Sequence, residues 1–514
     1  FKNLIEKNIY LLLTITFFNI TTLTIFNNYP TRPDEIWYLE SSMYPTESKK
    51  LFFRFYHFYI GKILSIFFNT PLIAAKYSSI ILSNLIIFFS YKIVFLNTNS
   101  KITSIICALI VSTYPYLLIL SSNYSTDITA TCIALIYIYI TNKIILKKNI
   151  NKNYLILGFF LIVGIFSKQS NIILILPTLL LYFFEKKNFK IALYFCGILV
   201  GLTVLSVLNY LFLDNFFYHI DPRNYYDFVN RFSSQLSEDV VKKIIRTSSY
   251  TNKIYSQIPW LTYIIVPICF GYLNIKSTLL KKNLLIILSL TISSILLFEF
   301  FHIPYAGLKL HPRYLIIFNI PLIIVFLVIF DEKLKKIGTN FFNNYLVYLF
   351  ALTLLFTFLY FLNLNFNIAK MARQFFLLIS IFSIPIILGF WMSKELNLKL
   401  LVILLIVVIL NNFSLAVERF PLINKNSYYF NPIKNLLKNC KKDEINIKIK
   451  NTRENQNLIV YLHADNIINL SEFKFLKNLM NNNKEVFLVN NKNFVKKNCN
   501  LTNEIPNHKN FKKF

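Results

Sequence analysis

Apolar runs long enough to cross a bilayer follow one another along most of this chain, and they constrain its fold more than any other feature. A membrane-spanning helix needs about 20 mostly apolar residues. The run 154–184 is too long for one helix and is interrupted at 167–170, so we expect two shorter helices that meet at the outer face. The other runs lie at 9–26, 72–96, 103–120, 127–146, 191–213, 258–275, 283–301, 312–330, 343–363, 375–392 and 400–417. The pattern predicts an all-α polytopic membrane protein with about 13 transmembrane helices.

The charge of the chain follows the same layout. The 514 residues are 55% hydrophobic and carry a formal net charge of +30, which places them outside the soluble globular class. The lysines cluster in short links between the apolar runs, at 142–153, 276–282, 331–340 and 393–399. Basic links of this kind mark the cytoplasmic side of a membrane protein. We therefore expect membrane lipids as partners and no nucleic acid.

The polar stretches divide the chain into two predicted parts. Residues 1–423 form the transmembrane domain, with external loops at 27–71 and 214–257. Within the first loop, the aromatic stretch 51–68 is interrupted by basic residues and predicts a helix lying along the membrane surface. Residues 424–514 predict a small C-terminal α/β domain, with strands near 444–450, 458–462 and 485–489. Alternation of the spans puts this domain on the external side. Neither part contains a Gly-rich nucleotide-binding loop.

A polar stretch at 29–40 follows the first apolar run and holds the first candidate site. It is expected to be a loop, stiffened by Pro30 and Pro33, with the adjacent carboxylates of Asp34 and Glu35 at its centre. Such a pair at the mouth of a membrane domain suits a proton acceptor, a metal ligand or a substrate clamp. An ordinary solvated loop would have the same composition.

Further charged residues fall on the same side under this topology. Asp127 begins a span, where it either caps the helix or belongs to a site. Lys168 lies between two half-helices, and an ammonium group at membrane depth is costly unless it has a function. The other basic candidates are Lys50, Arg54, His311 and Arg313, although a residue such as Arg313 also suits simple anchoring in the headgroups. Carboxylates beside several cations suit a substrate with a lipid tail and a phosphate head.

These motifs resemble the GT-C glycosyltransferases, polytopic enzymes that take sugars from polyprenyl-phosphate carriers, and in particular the bacterial aminoarabinose-transferase and protein-mannosyltransferase-like group. The stretches that carry the resemblance are Arg32-Pro33-Asp34-Glu35, Asn123–Asp127, Gly164-Ile165-Phe166-Ser167-Lys168 and His311-Pro312-Arg313-Tyr314. The chain departs from the group at 51–57, which lacks a proline-rich segment.

The resemblance implies transfer of a sugar from a polyprenyl-phosphate donor to an acceptor hydroxyl on the external face of a bacterial inner membrane. Asp34 would act as the base or orient the acceptor, with Glu35 beside it, and Asp127 would orient the acceptor or contribute to a metal site. Lys168 and Arg313, with His311 and a basic residue among Lys49, Lys50 and Arg54, would bind the leaving phosphate. Neither a cofactor nor a metal is predicted, although a divalent ion stays open.

Other readings remain open from the sequence. A transporter or flippase of a lipid-linked or anionic substrate would also place charges in a membrane domain. A purely structural subunit is a second alternative, and an endoplasmic-reticulum enzyme would have the same topology. The donor sugar and the acceptor, whether lipid, glycan or protein, are not specified by these motifs.

Overall fold

The structure is a computed structural model, and it describes residues 2–26, 33–44, 54–146, 150–185, 189–221, 259–295, 316–332, 334–335, 345–364, 371, 374–375, 405–417, 446–449, 463–464 and 486–489. Every structural statement below refers to these residues. Nearly all of the predicted span at 375–392 and most of the predicted loop 214–257 lie outside them, as does the predicted strand at 458–462.

Helices form nearly all of the described structure. They are α1 (Lys2–Thr24), α2 (Pro33–Met43), α3 (Phe55–Leu64), α4 (Pro71–Thr98), α5 (Lys101–Ser112), α6 (Pro115–Ser121), α7 (Thr126–Ile145), α8 (Ile150–Ile165), a 3₁₀ helix (Gln169–Leu174), α9 (Ile175–Phe184), α10 (Ile191–Leu213), α11 (Pro259–Leu273), α12 (Thr278–Ile295), α13 (Ile316–Ile329), α14 (Tyr345–Leu364) and α15 (Leu405–Val417). Most of these bounds agree with the apolar runs to within a few residues.

Two strands lie in the C-terminal region. β1 (Asn446–Ile449) and β2 (Val486–Val489) pair antiparallel, with Asn446 opposite Val489. Both were expected from the sequence, near 444–450 and 485–489. The complete α/β domain and the boundary at 423 stay predictions.

Among the described residues, three helices are each long and apolar enough to cross a membrane: α4, α7 and α10. The pair α5 and α6 adds a fourth candidate, bent by 61°. Six further apolar helices of 10–17 residues lie in the described part of the chain. The total of 13 crossings stays a prediction, since the lengths and composition of the described helices establish fewer.

One expectation about local structure was wrong, and another was incomplete. The span expected at 103–120 is divided into α5 and α6, because Pro115 begins a new helix there and proline lacks an N–H and disfavours a helical residue before it. That this bent pair crosses the membrane as one span stays a prediction. The stretch 29–40 was expected to be a loop, but α2 begins at Pro33 and continues to Met43. Proline suits the first helical position, and the acids at 34 and 35 suit the positive end of the helix dipole.

The helices enclose two hydrophobic clusters. The larger one runs through the bundle and is built mainly from Ile, Leu and Val. The second, which we call the aromatic cluster, joins α2 and α3 to the start of α4, the entry to α7, and parts of α8 and α10. It contains Tyr38, Phe55, Tyr56, Phe58, Tyr59 and Tyr124. The chemistry-bearing residues described below lie beside this second cluster.

Helix α7 lies inside the bundle, whereas α10 lies at its surface. In the apolar window of α7, 83% of the residues are buried, against 28% in that of α10. Large apolar side chains therefore point outward from α10, as expected of a lipid-facing helix. Its inner face crosses α8 closely, because a Cβ on Gly197 would lie 2.0 Å from the Leu155 carbonyl oxygen and one on Gly158 would lie 2.0 Å from that of Tyr194. Small residues allow such approach between membrane helices.

Candidate functional site

A buried ion pair lies at the start of α7, the most buried of the long helices. The Lys168 ammonium group contacts Asp127 Oδ1, and the two side chains are 9% and 6% exposed. Asp127 lies in the first turn of α7, where the Ser125 hydroxyl accepts a hydrogen bond from its N–H at 3.3 Å. The same hydroxyl lies 3.3 Å from Asp127 Oδ2, to which it is able to donate. A carboxylate is favoured at this end of a helix, and here it also neutralises a buried cation.

Lys168 reaches this position through the break after α8. The helix ends at Ile165, and the Lys168 backbone is extended, with φ −165° and ψ 131°. Its N–H donates to the Gly164 carbonyl at 3.2 Å, and its own carbonyl accepts from the Asn171 N–H at 2.9 Å. The 3₁₀ helix begins at the next residue. The interruption at 167–170 predicted from the sequence is therefore confirmed, and it presents Lys168 to Asp127.

His57 joins α3 to the entry of α7. Its Nδ1 lies 2.8 Å from the Thr129 hydroxyl, two residues beyond Asp127. The Tyr124 hydroxyl donates to the His57 backbone carbonyl at 2.8 Å. The His57 and Tyr124 rings also stack, with centroids 4.1 Å apart. His57 thus contacts residues that lie before and after Asp127 in the sequence.

The environment of His57 keeps its imidazole neutral. α3 is too short to span a membrane, and His57 is 1% exposed within it. Burial is the main cause that lowers the His57 pKa to about 3, and the nearby positive charge of Arg54 lowers it further. Asp127 and Lys168 also act on this ring, with opposite signs. The Nε2 atom is buried and has no hydrogen-bond partner among the described residues.

Arg54 lies next to this group, immediately before α3. Its guanidinium carbon is 4.8 Å from the centroid of the Tyr38 ring, a cation–π contact with α2. The Tyr38 ring in turn meets the His57 ring edge-on at 5.8 Å. The series Arg54, Tyr38, His57 and Tyr124 therefore connects α2 with α3 and with the entry of α7.

Several polar atoms around the ion pair are buried and lack a hydrogen-bond partner among the described residues. Besides His57 Nε2 they include both side-chain polar atoms of Asn123 and Oδ1 of Asn171. Asn171 Nδ2 donates to the Ala130 carbonyl at 3.3 Å, on the first turns of α7. Buried polar atoms without a partner are rare in folded proteins, and a ligand or an ordered water is one explanation for them.

The structure brings together only some of the predicted site residues. Asp127 and Lys168 are in direct contact, and Arg54 is near them through the His57 group. Asp34 and Glu35 lie in the first turn of α2, but their side chains are outside the described residues. Lys50, His311 and Arg313 are also outside. Their membership of the site stays a prediction.

Sequence reasoning assigned no role to His57, Tyr124, Thr129 or Asn171. A histidine within the aromatic run 51–68 was a visible signal, since a polar ring in such a run needs a partner when the helix is buried. Thr129 and Asn171 gave no comparable signal. No group of three or more His, Cys, Asp or Glu residues able to hold a metal ion occurs among the residues that the structure describes.

Comparison with known proteins gives a family match and a similar solved structure. The family model of dolichyl-phosphate-mannose-protein mannosyltransferases matches residues 55–210, which include His57, Asp127 and Lys168. The crystal structure of ArnT from Cupriavidus metallidurans bound to undecaprenyl phosphate is similar over 89% of this chain and 85% of that chain, with a TM-score of 0.53 and 11% sequence identity. No curated protein sequence matches this chain. The chain therefore has a polytopic membrane fold like that of this structure, which agrees with the fold implied by the resemblance of its motifs.

Proposed function

We propose that this protein is an integral-membrane glycosyltransferase that moves a sugar from a polyprenyl-phosphate carrier to an acceptor hydroxyl. The observation that carries the proposal is the buried ion pair Asp127–Lys168, which lies near Arg54, His57 and polar atoms without partners among the described residues, in a fold like that of ArnT. Buried charges in a membrane domain are costly, so they are retained where function requires them. The family match over residues 55–210 and the lipid bound in the similar structure support this substrate class.

The proposed reaction is a single displacement at the anomeric carbon. The acceptor oxygen forms the new bond to that carbon, while the bond from the carbon to the phosphate oxygen breaks. The acceptor proton passes to Asp34, the base proposed from its position in the first turn of α2. The leaving group is the polyprenyl phosphate, and the electron pair of the broken bond remains on its oxygen.

Cations near the ion pair would stabilise the negative charge that develops on this phosphate. Arg54 offers a planar guanidinium suited to phosphate oxygens, and contact with Tyr38 sets its direction. Lys168 has three N–H donors, of which one is directed to Asp127. In this proposal Asp127 orients the Lys168 ammonium group, which is a different role from the acceptor-orienting one expected from the sequence. Lys50, His311 and Arg313 remain candidates for further phosphate contacts.

A direct test is transfer of radiolabelled sugar from polyprenyl-phosphate donors by the purified protein in proteoliposomes. Asp34→Asn should abolish transfer, because the amide cannot accept the acceptor proton, and Lys168→Met should lower it by at least 100-fold. Lys335→Met removes the lysine of the partly exposed ion pair Lys335–Asp331 and serves as the matched control, with transfer near the wild-type rate. Wild-type transfer by Asp34→Asn would contradict the role of Asp34. Movement of the lipid-linked sugar across the bilayer without transfer by the wild type would instead favour a flippase.

The proposed orientation places residues 29–40, which include Asp34 and Glu35, and the C-terminal region on the external face of the bacterial inner membrane. The Tyr44 hydroxyl, at the end of α2, contacts His463 Nε2 and supports a common side for the two regions. Reporter fusions after residues 45, 148 and 430 test this arrangement. External signals at 45 and 430 with an internal one at 148 are expected, and any other pattern would contradict it.

A further inference from the structure

We propose that His57 is a positioning residue that sets the Asp127–Lys168 pair, because α3 is bonded to the segments on both sides of it. The inference rests on the proposed function and extends it to a residue outside the reacting groups. Its basis is the set of contacts that residues 56 and 57 make with the entry of α7 and with the break after α8.

The first step concerns the Asp127 side. His57 contacts the segment 124–129 through three different features: its backbone carbonyl accepts from Tyr124, its ring stacks on Tyr124, and its Nδ1 bonds Thr129. These contacts lie three residues before Asp127 and two residues after it. A shift of His57 would therefore move the first turn of α7 and the Asp127 carboxylate with it.

The second step concerns the Lys168 side. The Tyr56 N–H donates to the Phe166 carbonyl at 3.2 Å, two residues before Lys168. Neighbouring residues of α3 thus hold the two segments that supply the ion pair. The relative position of Asp127 and Lys168 depends on α3 as well as on their mutual attraction.

The third step concerns the anchoring of α3 itself. The Tyr56 hydroxyl donates to the Gly201 carbonyl on α10 at 2.7 Å, and the Tyr59 hydroxyl donates to Asn209 Oδ1 at 2.5 Å. Asn209 Nδ2 continues to His219 Nδ1 at 2.8 Å. These bonds fix α3 against α10, so that the contacts of His57 act from a rigid support.

Two amide substitutions distinguish the role of His57 Nδ1 from that of His57 Nε2. An asparagine side chain places a polar atom near the position of Nδ1, whereas a glutamine places one near Nε2. If His57 acts by positioning through Nδ1 and Thr129, His57→Asn should retain function and His57→Gln should not. The reverse order would indicate that Nε2 contacts the substrate directly.

The experiment measures kcat, KM for the lipid-linked donor, and thermal unfolding for purified full-length variants in proteoliposomes. We expect His57→Gln and His57→Ala to lower kcat by about 10- to 100-fold, since small displacements of catalytic groups have effects of this size, with KM changed less than threefold. His57→Asn should stay within about threefold of wild type. Thr129→Val should reproduce the loss, and Thr129→Ser, which keeps the hydroxyl, should not.

The matched control is Tyr348→Phe, which removes a buried hydroxyl that bonds Thr14 at 2.7 Å, in a contact between α1 and α14 that does not involve α3. It should lower the unfolding temperature about as much as His57→Gln and leave kcat near wild type. An equal fall of kcat in Tyr348→Phe and His57→Gln would overturn the proposal in favour of general destabilisation. Rescue by glutamine instead of asparagine, or wild-type kcat in every variant, would overturn it as well.

A double-mutant cycle distinguishes failure of this inference from failure of the proposed function. If His57 acts through Asp127, adding His57→Gln to Asp127→Asn should lower kcat no further and the unfolding temperatures should be non-additive. Non-additive unfolding without transfer by the wild type would leave the positioning intact and contradict the glycosyltransferase assignment. Additive effects on unfolding would contradict the positioning, whatever the reaction.

Discussion

Two ion pairs lie at the two ends of α4, and they differ in almost every respect. Near its beginning, Asp127 and Lys168 are both buried and come from elements 41 residues apart. Near its end, Lys335 binds Asp331 four residues earlier at 2.6 Å, with the lysine side chain 46% exposed. Lys335 also donates to the Thr98 carbonyl at 3.0 Å, and the Thr103 hydroxyl donates to Asp331 at 2.6 Å.

The difference indicates that the Asp331 pair is a structural contact, whereas the Asp127 pair belongs to a site for binding or catalysis. In both pairs the two carboxylate oxygens have partners, and the Asp331 pair ties α4 and α5 to the chain just beyond α13. The Asp127 pair is surrounded by buried polar atoms that lack partners among the described residues, at His57, Asn123 and Asn171. Desolvation makes such an arrangement a poor source of stability. Its cost is consistent with a role in binding or catalysis.

The largest effect is expected when one member of the buried pair is removed. Asp127→Asn leaves the Lys168 ammonium group buried without its carboxylate, which should lower the free energy of unfolding by about 3–5 kcal/mol. Sugar transfer should fall with it. Urea unfolding of the detergent-solubilised protein and the proteoliposome transfer assay provide the two measurements.

The double variant Asp127→Leu/Lys168→Met serves as the control for this prediction. Replacing both charges by apolar groups should restore stability to within about 1 kcal/mol of wild type or above it, because no unpaired charge remains. Transfer should nevertheless stay absent. A stable double variant with full transfer would show that the pair is structural, as the Asp331 pair is.

A second comparison uses one glycine near each end of α4. A Cβ on Gly61 would lie 2.2 Å from the Tyr124 hydroxyl oxygen, and one on Gly271 would lie 2.3 Å from Ile329 Cγ2. Gly61→Ala and Gly271→Ala should each destabilise by about 1–3 kcal/mol, because overpacking outweighs the better helix propensity of alanine. Gly61→Ala alone should also lower transfer, since Tyr124 must leave the His57 carbonyl. Equal transfer rates in the two variants would contradict the special role of the aromatic cluster.

Sequence alone defined most helices of this fold. The run at 191–213 is α10 (Ile191–Leu213), and the run at 127–146 is α7 within one residue. These bounds follow from hydrophobic runs ended by polar links, which is a local property. The bend at Pro115 and the helix beginning at Pro33 were missed, although both depend on local proline chemistry.

The candidate site was harder to predict from the sequence than the helices were. Asp127 and Lys168 were selected individually as charges at span ends, but their pairing depends on how α7 packs on the break after α8. The contact of His57 with Thr129 joins residues 72 positions apart, and no local pattern contains it. The sequence shows which charged residues lie near the ends of spans, whereas the partner of each one depends on how the helices pack.

The buried end should also respond to pH through His57. Burial lowers the folded-state pKa of His57 to about 3, against about 6.5 in the unfolded chain, so between these values the unfolded state binds more protons. The free energy of unfolding should therefore fall as the pH decreases below about 6.5, by up to about 1.4 kcal/mol per pH unit for this group.

His57→Asn isolates this contribution, because asparagine does not titrate. Between pH 7.5 and pH 5, stability should fall by about 2 kcal/mol more in wild type than in the variant. Chemical unfolding at the two pH values measures the difference. His219, whose pKa is also lowered by burial, is present in both proteins, so its contribution cancels. Parallel pH profiles for the two proteins would contradict a buried neutral His57.

The smallest effect is expected at the exposed end. Lys335→Met should lower the free energy of unfolding by less than about 1 kcal/mol, because about half of the lysine side chain is exposed to solvent and the Asp331 carboxylate keeps its bond from Thr103. Salt screens exposed charges, so even this difference should shrink in 1 M NaCl, whereas the effect of Asp127→Asn should persist. Parallel unfolding of the two variants at low and high salt measures both. A loss from Lys335→Met as large as that from Asp127→Asn, and equally resistant to salt, would remove the distinction between the two ends, since burial would then not set the energetic importance of a charge in this protein.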